Sequence, residues 1–276
     1  PGDVYTLDDM ALAKRLSFFI WGTNPDTELL ELANRGKLSR NRILKAQVLR
    51  MLADPRSEAL ATRFASLWLR LQDLEKVEPD AFWFPNYSQQ LMTAMRRETE
   101  LFFYNLVRED RSMLELYNAN YSFMNERLAQ HYGIPNVLGE EFRRVEYTDD
   151  QRRGILGHGS ILVQTSLGNR TSPVLRGKWV LEVLLGAPPP PPPPGIPDLE
   201  ETVGSESGRI LTTRERLEMH RSNPVCAACH RLMDPIGLAL DNFDVTGKWR
   251  IRENDSPLDT RSIFYDGTPI ATPADL

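Results

Sequence analysis

The sequence predicts a mainly α-helical protein with minor β: a helical body, a polyproline strut and a small C-terminal module. Three observations predict it. Apolar residues recur at spacings of three and four through most of the first 140 residues. Seven consecutive prolines, Pro188–Pro194, interrupt the chain. Its only two cysteines, Cys226 and Cys229, stand three apart beyond that interruption. The length of 276 residues suits about two domains, and 41% hydrophobic with 26% charged residues suffices for a sizeable core. Lys and Arg number 33 against 38 Asp and Glu, a net charge of -5 with no dense basic run, which argues against nucleic acid as a partner. Apolar stretches are broken within about ten positions, short of the ~20 a membrane-spanning helix needs, so no transmembrane segment is expected.

The helical body is expected over residues 1–140. Met10, Leu12, Ala13, Leu16, Phe19 and Ile20 mark a first helix between Leu7 and Ile20. Thr23-Asn24-Pro25-Asp26 breaks it and caps a second helix carrying Leu29, Leu30, Leu32 and Ala33. Ser39 precedes a third, which Asp54-Pro55 ends. Ala59 to Leu74 reads as a further amphipathic run with Phe64, Leu67, Trp68 and Leu71 on one face. Pro79 to Tyr87 is a loop of proline and aromatic residues, followed by the longest helical pattern, Ser88 to Arg108. Tyr121 to Tyr132 reads as one shorter helix ended by Gly133. No segment before residue 135 demands a strand.

Residues 141–200 form a helical linker domain in which Val174 to Leu185 is helix-like, and which ends in the strut. Seven prolines must adopt polyproline II, about 22 Å long at ~3.1 Å per residue. Residues 201–276 form the cysteine-bearing module. Thr202 to Gly208 reads as flexible linker, Thr212 to Arg221 as a short helix, and Arg231 to Gly237 as a helix end and turn. An Asp266-Gly267 turn suggests a hairpin between Ser262 and Ala271.

Cys226-Ala227-Ala228-Cys229-His230 has the C-x-x-C-H spacing of haem c attachment. Each thiol adds across one porphyrin vinyl group, forming a thioether, and the next residue falls under the iron as proximal ligand. The expected cofactor is therefore one covalent haem c, held by Cys226 and Cys229 and ligated by His230. A thioredoxin-like pair would want a βαβ context, and the surroundings here are helical and rich in proline. A zinc site of Cys226, Cys229, His220 and His230 has the right ligand count, but adjacent Cys229 and His230 would have to face one metal. A carbonyl near Pro235 is expected to accept the Nδ1–H of His230. Arg176 with Lys178 and Trp179, and Lys248 with Trp249 and Arg250, are candidate partners for haem propionates.

The distal face separates a carrier from an enzyme. Met233 lies too near His230, so a distal Met would come from Met10, Met51, Met92, Met95, Met113, Met124 or Met219, most of which sit in core-like patterns. Among histidines, His158 is the distal candidate because its glycine neighbours suggest a flexible segment able to approach a porphyrin. His131 stands at a helix end, and His220 is expected to lie too close to the attachment loop to cross the ring. A closed, six-coordinate site is the expectation.

The block HRSNPVCAACHRLMDPIGLALDNFDVTGKWR resembles the haem-attachment segment of large secreted planctomycete-type cytochrome c proteins built from serial domains of unknown function. RTSPVLRGKWVLEVLLGAPPPPPPP resembles their preceding domain, and FASLWLRL with Tyr87 to Pro135 the helical domain before that. In that family a further domain follows a segment like Asp266-Gly267-Thr268. The resemblance implies an exported protein bearing covalent haem, and an export signal upstream of Pro1. The function expected is one-electron transfer within a larger multidomain redox protein. Its partners would be a redox protein or other subunits of a larger complex, and its location periplasmic, secreted or at the cell surface. Two alternatives stand beside it: a haem-c peroxidase or oxidase with an open distal site where His158 assists, and a partner- or polysaccharide-binding scaffold with ancillary haem.

Overall fold

The computed structural model describes residues 6–191, 211–221 and 224–276, without the side chains of 224–226 and 228. Helix makes up about 52% of the chain, and the described strands form only two-stranded sheets, so the protein is mainly α with minor β. No helix among the described residues is long and apolar enough to cross a membrane. The chain divides into two compact units. One comprises residues up to Leu69 with Glu100–Glu115, the other Arg70–Thr99 with the described residues from Leu116 onward.

In the first unit, α1 (Asp9–Ile20), α2 (Thr27–Asn34) and α3 (Asn41–Ala53) follow the sequence pattern closely. Asp8 and Asp26 cap α1 and α2 by accepting from the amides of Ala11 and Leu29. The run after Asp54 departs from expectation. It is a π-helical segment, Leu60–Ala65, then a single turn, α4 (Ser66–Trp68), then a left-handed Arg70 at φ 56° and a 3-10 segment, Leu71–Lys76. Each change of winding rotates the side chains. Phe64 and Leu67, expected on the buried face, are 43% and 69% exposed, while Leu60, Ala61, Ala65, Leu69 and Leu71 are buried.

Helix α5 (Gln89–Arg108) has its N-terminal half in the second unit and the rest in the first. After it come α6 (Glu115–Asn118), β1 (Tyr121–Met124), α7 (Glu126–Tyr132) and β2 (Arg143–Glu146). The helix expected over Tyr121–Tyr132 is thus split. Tyr121 to Met124 instead pairs antiparallel with β2, Tyr121 opposite Glu146, a partner some twenty residues on that local pattern does not reveal. Asn125 then caps α7 and Gly133, at φ 74°, ends it as expected. A core of Leu74, Leu91, Met92, Met95, Met124, Leu128 and Val163 gathers these elements.

Next come α8 (Gly159–Gln164), α9 (Pro173–Trp179) with a π-helical extension through Leu184, α10 (Thr213–Arg221) and α11 (Pro224–Ala239). Pro188 to Pro191 lie outside helix and strand, while Pro192–Pro194 and the Thr202–Gly208 linker fall outside the described residues. Short hairpins finish the chain: β3 (Arg252–Glu253) with β4 (Ser256–Pro257), and β5 (Ser262–Ile263) with β6 (Pro269–Ile270) around the anticipated Asp266-Gly267 turn.

The helix end expected at Arg231–Gly237 is not there. α11 continues through Pro235 and Gly237 to Ala239. Packing against α9 accounts for both residues. A Cβ on Gly237 would lie 1.8 Å from the carbonyl oxygen of Pro173, and one on Gly177 would lie 2.0 Å from that of Met233. The two helices cross backbone to backbone, so these glycines are contact residues, and Gly237 is no terminator.

Candidate functional site

Helix α11 carries the cysteine motif and presents His230 one turn before Asp234. His230 Nδ1 lies 2.9 Å from Asp234 Oδ1. The partner is therefore a side chain and not the backbone carbonyl expected near Pro235. Asp234 is fully buried, and its Oδ2 makes no hydrogen bond, meeting only the Arg221 guanidinium at 3.6 Å. A carboxylate at this position fixes the imidazole tautomer, with the proton on Nδ1 and the Nε2 lone pair presented outward. From α10, the His220 ring packs edge-on against His230, with centroids 4.9 Å apart. Burial, then the neighbouring His230, holds His220 below its ordinary pKa. His220 thus packs directly beside the motif histidine.

Cys229 is half-buried with a free thiol; the Cys226 side chain lies outside the described residues. Among the described residues no three of His, Cys, Asp and Glu converge as a metal site. The donors that are described fit a haem iron: one imidazole whose Nδ1 is engaged by a carboxylate and whose Nε2 makes no hydrogen bond among the described residues, adjacent to a free thiol.

The candidate propionate partners have other work. Arg176 is fully buried, and its guanidinium donates to the carbonyls of Leu240 (2.7 Å), Phe243 (2.8 Å) and Asp244 (3.0 Å). Burial lowers its pKa to about 10. Arg250 bonds Asp241 Oδ1 and Thr171 Oγ1, both at 3.0 Å, and Thr171 donates to the same carboxylate at 2.6 Å. Trp249 stacks edge-on against Phe243 at 5.1 Å. Lys178 is the more accessible cation of the first set and pairs with Glu182 at 3.6 Å. Together Arg176 and Arg250 hold the segment after α11 onto α9, which sets the pose of the motif helix.

His158 stands at the N-terminus of α8 and is fully buried, so the flexible segment expected there is instead part of the core. Nδ1 lies 2.9 Å from Thr99 Oγ1 and Nε2 3.3 Å from Ser122 Oγ. Burial, then the nearby Arg152 charge, drives its pKa to about 3, so the ring is neutral. Ser122 donates to Glu98 Oε1 at 2.8 Å, Tyr132 donates to Oε2 at 2.6 Å, and the Gly159 amide donates to the Tyr132 hydroxyl at 2.7 Å. Glu98 is itself fully buried, and burial raises its pKa to about 7. The Arg152 guanidinium lies 3.7 Å above the Tyr132 ring and donates to the carbonyls of Gly157 and Gly247. Among the described residues, this network includes none of the cysteine motif.

Sequence reasoning missed Asp234 and Glu98, and both left a signal. Asp234 is four residues after His230 on one helix, the spacing that brings side chains together. Glu98 interrupts the apolar stripe Leu91, Met95, Phe102, Leu106 of α5. Of the methionines, Met51, Met92, Met95 and Met124 are core residues, as the pattern implied.

Two family models match in series. Residues 7–134 match PSD4, a protein of unknown function (DUF1592), and residues 152–253 match PSCyt3, a protein of unknown function (DUF1588). No curated protein and no solved structure matches significantly. Over these two stretches in turn the chain is similar to two domain families of unknown function, DUF1592 and DUF1588.

Proposed function

We propose that the chain is part of an exported multidomain redox protein and carries one covalent haem c for electron transfer. Cys226 and Cys229 would hold the porphyrin edge and His230 Nε2 the iron. The observation that carries this reading is the His230–Asp234 pair. A buried carboxylate on Nδ1 leaves Nε2 as the ligating nitrogen and makes the imidazole a stronger donor. Haem so ligated supplies one-electron exchange, at a potential set by axial ligand and surroundings. The chain's own residues hold and orient: Asp234 fixes the ring, Arg176 and Arg250 fix the helix that bears it.

The same carboxylate favours a second reading, peroxide turnover at an open distal face, because a more basic proximal imidazole helps O–O cleavage. Periplasmic or cell-surface location follows from the haem reading, since thioether attachment takes place outside the cytoplasm. The test is export-directed expression with the haem-attachment machinery, acid extraction and intact mass measurement. One haem retained on the polypeptide, and lost in the Cys226→Ser/Cys229→Ser variant, is the expected result; extractable haem or bound zinc would refute it. Cyanide and peroxide titration of the ferric protein separates the two readings.

A further inference from the structure

The aromatic loop 79–87 takes no part in the haem reading, yet it is firmly built. Asp80 is its hub: the amide donates to Gly168 O at 2.8 Å, the carbonyl accepts from Trp83 and Phe84, and Oδ1 accepts from Phe82 N. Pinned this way, the loop holds Trp83 65% exposed, with Phe82 packed edge-on against it at 5.0 Å. Large rings kept in solvent by a fixed backbone point to a ligand surface.

Trp83, Phe84 and Tyr87 line a cleft of about 530 Å³ whose remaining wall is mostly polar; it holds Arg127, His131 and Lys248, and one carboxylate, Asp244, whose Oδ1 already accepts from the Thr246 amide and hydroxyl and the Lys248 amide. Arg127 and Lys248 are exposed, and neither pairs with a carboxylate among the described residues. His131 Nε2 lies 2.9 Å from Thr246 O; burial lowers its pKa, so the neutral ring donates from Nε2 and keeps Nδ1 as an acceptor. The Tyr87 hydroxyl is buried without a hydrogen-bond partner among the described residues. Flat apolar faces, hydroxyl-matching donors and acceptors, and two unpaired cations in one cleft define a narrow chemistry. Sugar rings offer C–H faces to aromatic planes and hydroxyls to polar walls, and a uronate adds the carboxylate that the cations lack.

We propose that this cleft binds an acidic oligosaccharide, its rings stacked on Trp83 and Phe84 and its carboxylates met by Arg127 and Lys248. The proposal is independent of the haem reading and needs no haem in its test. The whole chain is titrated calorimetrically with an oligogalacturonate, a cello-oligosaccharide of equal length and a polyphosphate. Saturable binding of the uronate, at least tenfold tighter than either comparator, is expected. Trp83→Ala should weaken it at least tenfold, and so should Arg127→Gln and Lys248→Gln combined. Melting temperature should stay unchanged, because all three side chains are exposed. No uronate binding, equal binding of the neutral sugar or of polyphosphate, or undiminished affinity in Trp83→Ala overturns the proposal.

Discussion

Asp234 is a buried carboxylate one helical turn from the candidate iron ligand, and this pairing governs what the site does. With the proposed haem bound, a carboxylate there would favour the oxidised, more positive iron over the reduced one. Asp234→Asn in the haem-loaded protein should therefore raise the midpoint potential by roughly 60 mV, the one-electron equivalent of about 1.4 kcal/mol. Redox potentiometry measures it; an unchanged or lowered potential would show that Asp234 does not act on the iron. Glu98 and His158 make a second residue-scale prediction, with opposite signs. Glu98 has a folded-state pKa near 7 against 4.5 when free, so the folded chain holds a proton between these values that the unfolded chain releases. Stability falls as pH rises through that window, by about 3 kcal/mol in all. His158 has a folded-state pKa near 3 against 6.5, so its contribution is complete above 6.5 and is lost as pH falls toward 3. Urea unfolding from pH 4 to 8 should show Glu98→Gln abolishing the decline toward neutrality and His158→Gln abolishing the acid-side loss. The slope is the readout, because each variant also alters a hydrogen bond. The Cys-His spacing is legible in the sequence as a candidate attachment motif. Asp234 and Glu98 were written there only as a spacing and as an interruption, and their burial comes from distant elements.

At the scale of elements, local signals succeeded where the partner is local and failed where it is not. Asp26 caps α2 through the amide of Leu29, three residues on, so that helix start can be read from the chain. The π-helical Leu60–Ala65 and the strand Tyr121–Met124 could not, because tertiary pairing overrides periodicity there. Pro235 and Gly237 are the instructive case. Side by side they spell a helix stop, yet α11 runs through both because its backbone must touch α9. Gly177→Ala and Gly237→Ala should each cost about 3 kcal/mol, since a methyl group would meet a backbone carbonyl that has no rotamer to yield. The half-buried Lys178→Ala, on the same helix as Gly177, should cost no more than about 0.5 kcal/mol. Urea midpoints at constant m-value test this, and a Gly237→Ala protein of full stability would refute the backbone contact.

For the molecule as a whole, the serial order of the two family matches differs from its compact units. Residues 70–99 and 116–134, inside the first match, belong to the unit that also holds all of the second. The contacts responsible are named above: Glu98, Ser122 and Tyr132 join His158 and Gly159, Arg152 stacks on Tyr132, and His131 reaches Thr246. A cut near residue 140, where composition suggests a boundary, severs those that reach His158, Gly159, Arg152 and Thr246 and spares the Ser122–Glu98 bond. It would leave Glu98 buried without Ser122's histidine partner on one side and Arg152 without its aromatic face on the other, and unsatisfied buried polar groups are costly. Residues 1–140 alone should therefore lose the cooperative unfolding of Arg70–Thr99 and show collapsed near-ultraviolet dichroism. Residues 141–276 alone should fail to hold α8 and should aggregate or unfold at low denaturant. Mixing the two pieces should restore part of the signal if the contacts are as described. The measurement is urea unfolding followed by tryptophan fluorescence, supported by amide exchange across α5. An isolated 1–140 piece with the whole chain's midpoint and full protection from Gln89 to Thr99 would mean that the family boundary is also the physical one, and that the buried network contributes nothing to holding the two matched segments together.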